Sequence, residues 1–241
     1  MRTSETDLGC VARPDGEPRV GVVVVHDVWG LSDHTRDFAR RFANEGFVAL
    51  AVNLYRRLAR VEITDAGPWM RALSDPDMLA EIALAVRELR DVHGCTHVGV
   101  VGFCMGGSYA LMAGCGAAST DARPDAVVPF YGILSHAHGL LHAAQGLDPR
   151  RKPREPVAAA ADLACPLLAF FGAEDVYISL DDVEALRRVV ATTSQPHEIA
   201  VYPNAGHAFM NDTRPQAYRP EIAADAWRRT IAFLRTHLRV A

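Results

Sequence analysis

The sequence predicts an α/β fold, a doubly wound and mostly parallel sheet flanked by helices. Three observations point to it. Short valine-rich apolar runs recur without internal charge, as strands buried on both faces of a sheet do. Amphipathic stretches with helical spacing alternate with them, the rhythm of parallel βα units. A dense glycine cluster, Gly102-Phe103-Cys104-Met105-Gly106-Gly107, falls where one such strand meets one such helix, as a sharp strand-to-helix turn requires.

Val20–Val25 is the clearest strand. Residues 33–45 place Phe38, Ala39, Phe42 and Ala43 on one helical face, and Gly46 ends the helix. Residues 47–52 read as the next strand, and 77–93 as a longer helix that gathers Leu79, Ile82, Ala83, Val86 and Leu89. A strand over 97–101, a helix over 105–113 and strands over 126–130 and 167–171 follow. The chain closes with a helix over 180–190, a strand over 197–202 and a helix over 220–238. The rhythm breaks at 135–161, where Pro149, Pro153, Pro156 and the run Arg150-Arg151-Lys152 read as an irregular surface insertion. A solvated loop is the plain reading of it and a lid over a pocket the alternative. No repeat, linker or boundary interrupts the chain, so residues 1–241 read as one domain with right-handed crossovers.

The 241 residues, 49% hydrophobic and 22% charged, can bury a substantial core and do not resemble a disordered chain. With 25 basic against 29 acidic residues and no basic block, neither nucleic acid nor an anionic membrane is an expected partner. No stretch approaches the ~20 apolar residues of a membrane span, and the polar start does not read as a secretory signal. Cys10, Cys95, Cys104, Cys115 and Cys165 form no CxxC pair, too sparse for a disulfide framework and wrongly spaced for zinc. A cytoplasmic location fits them best. His136, His138 and His142 lie close together but do not share a helical face, so no metal is expected there. Nothing calls for a cofactor, and the sequence leaves monomer or dimer open.

Chemistry enters at the glycine cluster. It has the nucleophile-elbow pattern G-x-S-x-G with Cys104 in place of serine. Side-chain-free neighbours let the central residue take a strained backbone conformation, and the following helix N-terminus favours its thiolate. The strand over 167–171 runs into Gly172-Ala173-Glu174-Asp175, which sets a carboxylate at the ligand-binding edge of the sheet. Asp175 is the assigned acid and Glu174 its rival. His207 sits in the small-residue loop Ala205-Gly206-His207-Ala208-Phe209 after the strand over 197–202. The chain order nucleophile, acid, histidine is that of α/β-hydrolases.

At these residues the sequence resembles the dienelactone hydrolase family (carboxymethylenebutenolidases). His26-Asp27-Val28-Trp29-Gly30-Leu31 and Asn53-Leu54-Tyr55-Arg56-Arg57 look like the same family, and the resemblance runs from about Val20 to Leu238 outside the insertion. It implies the α/β-hydrolase fold and a cysteine-dependent hydrolase with a small-molecule ester or lactone substrate. Cys104, His207 and Asp175 would be its triad, working through a thioester. It further implies oxyanion donors at the Met105 and Val28 amides and a nucleophile-contacting acid at Asp27, where the family has the longer glutamate. An arginine for a substrate carboxylate would be Arg57, with Arg56 beside it as rival. The family's second arginine position holds Asn211 here, with Arg214 nearby. Trp29, Tyr55, Trp69, Tyr131, Tyr177 and Phe209 flank the strand ends as candidate pocket walls, Trp29, Tyr55 and Phe209 chief among them. A broad carboxylesterase or thioesterase, or a binding protein that kept the fold, are the other functions compatible with the chain.

Overall fold

The computed structural model describes residues 1–116 and 122–239. Among them, eight strands form one sheet in the order β1-β2-β4-β3-β5-β6-β7-β8. The parallel strands are β3 (Val20–Val25), β4 (Val48–Val52), β5 (His97–Phe103), β6 (Ala126–Phe130), β7 (Leu167–Gly172) and β8 (His197–Tyr202). All but β8 are almost wholly buried, which is why they read as unbroken apolar runs. An antiparallel hairpin, β1 (Arg2–Thr6) and β2 (Gly9–Arg13), extends the edge beyond β4. The sequence reading did not anticipate it. β1 is polar and exposed, so only the Cys10-Val11-Ala12 run of β2 carries an apolar signal.

The helices are α1 (Asp33–Asn44), α2 (Ala66–Ala72), α3 (Asp75–Asp91), α4 (Met105–Ala113), α5 (Pro156–Ala159), α6 (Leu180–Val190) and α7 (Pro220–His237). Ser32 caps α1 by accepting the Thr35 N–H, and Ser179 and Asp182 form a reciprocal capping box on α6. α2 also escaped the reading, because Gly67-Pro68 at its start hides its period. Through α1 the chain passes from β3 to β4 in one direction, and through α3 it returns past β3 to β5. Right-handed crossovers in opposite directions put α1 and α3 on opposite faces. They also open a crevice above the carboxyl ends of β3 and β5, where such sheets place their ligands.

On the α1 face the rings of Phe38, Phe103, Phe130, Phe170 and Tyr202 stack in succession, with centroids 4.3, 5.1, 4.8 and 6.1 Å apart. The ladder lies across four neighbouring strands and α1, so it fixes the floor beneath the residue that follows Phe103. The insertion over 135–161 is only partly solvated. Lys152 from its middle is buried, its Nζ 2.5 Å from Asp75 Oδ1, while the Tyr109 hydroxyl donates to the same oxygen at 2.9 Å. Burial holds the Lys152 ammonium below its usual range, opposed by Asp75. The segment is therefore pinned to α3 and α4 by a desolvated ion pair. Among the described residues no helix is long and apolar enough to cross a membrane.

Candidate active site

Cys104 joins β5 to α4 with φ 55° and ψ −118°, the strained geometry its glycine neighbours permit. Its N–H donates to Phe130 O at 3.0 Å, and its own carbonyl accepts from the Gly107 and Ser108 N–H groups. A Cβ on Gly102 would lie 1.9 Å from Gly106 O, and one on Gly106 2.4 Å from His26 O. Backbone therefore occupies the space a side chain would need. Among the described residues four non-glycines have positive φ, and Cys104, Tyr131 and Ala208 of these four line one cavity.

That cavity also takes in Asp27, Trp29, His34, Asn211, His207 and Arg214, and it encloses about 30 Å³, room for about two waters. Cys104 is buried, 8% exposed, and it lines this cavity. His207 Nδ1 lies 2.8 Å from Asp175 Oδ2, and the other carboxylate oxygen accepts the Tyr177 N–H at 2.9 Å. The acid on the imidazole is thus Asp175, not Glu174. On the opposite ring edge Nε2 is buried without a hydrogen-bond partner in the protein, and His207 lines the cavity together with Cys104. Burial opposes charge on the imidazole but is outweighed by Cys104 and by Asp175, which together raise it to about 10. Burial pushes Cys95 up to about 11 and Cys115 and Cys165 up to about 12, and it raises Cys10 as well.

Several expected residues stand elsewhere or act differently. Arg57 and Arg56 both bond through Nε to the buried Glu81 carboxylate of α3, Arg57 at 2.8 Å, and Arg57 faces a separate cavity with Leu58, Asp148 and Arg151. The carboxylate of Glu81, far away in sequence, draws them from the Cys104 cavity. Phe209 is fully buried among Tyr131, Tyr202 and Phe130, so it belongs to the core and not to the wall. Tyr55 is a brace: its hydroxyl donates to Val28 O at 2.9 Å and sits 3.3 Å from Met105 Sδ. It ties together the two residues expected to supply oxyanion donors. Asp27 lines the cavity, but its shorter side chain closes its own turn, with Oδ1 accepting the Trp29 N–H at 2.9 Å. It makes no hydrogen bond with Cys104. Asn211 lines the cavity with its Oδ1 taken by Thr213. Trp29 lines it too, beneath the Arg214 guanidinium, 5.8 Å from the ring centroid.

Two contributors were missed. His34, in the first turn of α1, enters the same cavity with Nδ1 3.3 Å from Asp212 Oδ1, and Asp212 is held in turn by Arg41. Burial keeps His34 below its usual value against the pull of Asp212 and Asp27. The available signal was a histidine two residues past a cap serine, close behind the Asp27 loop. His26 is fully buried, with Nδ1 2.6 Å from Asp27 O and Nε2 accepting the Leu54 N–H at 3.1 Å. It fastens the loop after β3 to the loop after β4.

Comparison with known proteins follows the same line. The dienelactone hydrolase family model matches residues 8–238. An Escherichia coli K12 protein provisionally named carboxymethylenebutenolidase is 33% identical over 94% of this chain and 81% of its own length. A Bradyrhizobium protein provisionally named 2-oxo-3-(5-oxofuran-2-ylidene)propanoate lactonase is 30% identical over 97% of this chain and 91% of itself. Among solved structures, one from Klebsiella pneumoniae, provisionally titled a dienelactone hydrolase, superposes with a TM-score of 0.79. It is 31% identical, with 93% of this chain and 91% of that one covered.

Proposed function

The chain belongs to the dienelactone hydrolase family and is a hydrolase of ester or lactone bonds, and on that footing we propose that it works by acyl transfer to Cys104. One observation carries the reading: a cysteine on a strained elbow shares a small cavity with an imidazole whose far nitrogen is bonded to a buried carboxylate. The Cys104 thiolate attacks the carbonyl carbon, and the Met105 and Val28 N–H groups receive the oxyanion. His207 passes its proton to the departing oxygen as the C–O bond breaks, leaving a thioester. It then takes a proton from water, whose oxygen attacks the thioester, and the thiolate departs beside the restored imidazolium. Asp175 holds the ring in the tautomer this needs. A thiolate expels stabilised or strained leaving groups best, so activated esters and enol lactones suit the site and amides do not.

The test is to quench turnover of p-nitrophenyl acetate with acid and map the acetyl group by mass spectrometry. One acetyl per chain on Cys104, removable by hydroxylamine, is the expected result. Acetylation of another residue during turnover would defeat the assignment.

Arg214 supplies the acyl side with charge. Among the described residues its guanidinium has no carboxylate partner, and it lies over Trp29 inside the cavity. Arg214→Gln should raise KM at least ~10-fold for an ester with an acyl-side carboxylate and leave that for a neutral acetate unchanged. An equal rise for both would assign Arg214 to packing alone.

A further inference from the structure

Acyl transfer as described above leaves unused three exposed apolar residues that follow the catalytic acid in the chain. Directly after Asp175, Val176 is 82% exposed, Tyr177 39% and Leu180 49%. Single exposed hydrophobic residues are ordinary. Three within five residues, with the Tyr177 ring set against the His207 imidazole, concentrate apolar surface next to the site. The segment is also held in place. Its Tyr177 N–H is bonded to Asp175, its Ser179 caps α6, and Asp182 of that cap lies 2.6 Å from His138 Nε2 in the insertion. Gly139 packs so closely on it that a Cβ there would sit 2.7 Å from Tyr177 O. The Tyr177 ring meets the His207 ring edge-on, their centroids 5.1 Å apart.

We propose that Tyr177, flanked by Val176 and Leu180, is the leaving-group platform, and that it selects esters of phenols. The inference rests on the Cys104–His207 reading. If His207 hands its proton to the departing oxygen, the leaving group must come away on the imidazole side, and the exposed ring beside that imidazole is Tyr177. The polar side chains of His34, Asn211 and Arg214 lie within the cavity itself and are left to the acyl portion. The chemistry points the same way. As the S–C bond forms and the C–O bond breaks, a thiolate must expel an oxygen leaving group. A phenolate leaves more readily than an alkoxide, and it takes the His207 proton to depart as a phenol. Its ring can then make an edge or offset contact with Tyr177.

Phenyl acetate and vinyl acetate deliver the same acetyl group and differ only in what leaves, so a comparison of kcat/KM isolates the platform. Tyr177→Ala is expected to lower kcat/KM for phenyl acetate about tenfold more than it lowers that for vinyl acetate. Tyr177→Phe, which keeps the ring, should restore phenyl acetate. An equal loss on both esters overturns the proposal, because Tyr177 would then act through His207. So does an unchanged rate on phenyl acetate. Sedimentation supplies a further check: if Tyr177→Ala splits a dimer while ester preference persists, the patch belongs to a second copy and the proposal fails. Failure of the nucleophile assignment reads differently, as an acetyl group mapped to a residue other than Cys104.

Discussion

Replacing Cys104 with alanine should lower kcat/KM for p-nitrophenyl acetate by at least ~10⁴-fold, because the thioester route then has no nucleophile. Circular dichroism should stay close to wild type, since the position is already a small buried residue. The thiol inventory gives an independent arm. Burial pushes Cys95 up to about 11 and Cys115 and Cys165 up to about 12, so these are poor nucleophiles near neutral pH. Iodoacetamide at pH 7 should therefore modify one cysteine per chain, Cys104, and His207→Gln should slow that modification at least ~10-fold. Labelling at wild-type speed in His207→Gln would remove His207 from the activation of Cys104. The raised imidazole also links stability to pH. The folded His207 value of about 10 lies above the ordinary 6.5, so its stabilisation is complete below pH 6.5 and is lost as pH rises through about 10. The stability gap between wild type and His207→Gln should accordingly narrow over that interval in urea titrations.

Gly106→Ala should cost about 4 kcal/mol or more and lower the melting temperature by about 10 °C. The new methyl would lie 2.4 Å from His26 O and 2.5 Å from Val25 O, both backbone atoms at the end of β3, so neither can swing aside. Helix α4 would have to retreat from the sheet and carry Cys104 with it. Gly46→Ala is the control. It has φ 96° with open space around it and should lose only about 1 kcal/mol, the cost of a left-handed residue alone. If the two variants melt together, crowding at the elbow is not what selects glycine there.

How far the sequence reveals this protein depends on the range of the interaction involved. Strand β5, the glycines around Cys104 and the loop bearing His207 were legible because each is governed by neighbours a few residues away. Helix α4 and strands β6 and β8 were legible to their ends for the same reason. The β1–β2 hairpin was not, since a short polar edge strand has no alternation to betray it. Arg57 was misplaced because its local run Asn53–Arg57 says nothing about Glu81, which lies on α3 and claims the guanidinium. Phe209 was put on a wall because a strand end looks alike whether its next aromatic turns in or out. His34 went unnoticed because its partner Asp212 lies near the other end of the chain. Local geometry can be read from such a chain, whereas the partner of a long polar side chain cannot.

The Tyr55 hydroxyl touches both Val28 and Met105, so the two residues expected to supply the oxyanion donors are braced by the fold itself. A receptor assembled in advance gains nothing from an incoming molecule's ability to remodel it. Compounds would then compete by how well they match a finished mould, and weak binders that fit should outpace tight ones that do not. Evolutionary change in selectivity is accordingly cheapest at the rim, where side chains can be exchanged without disturbing the joinery underneath.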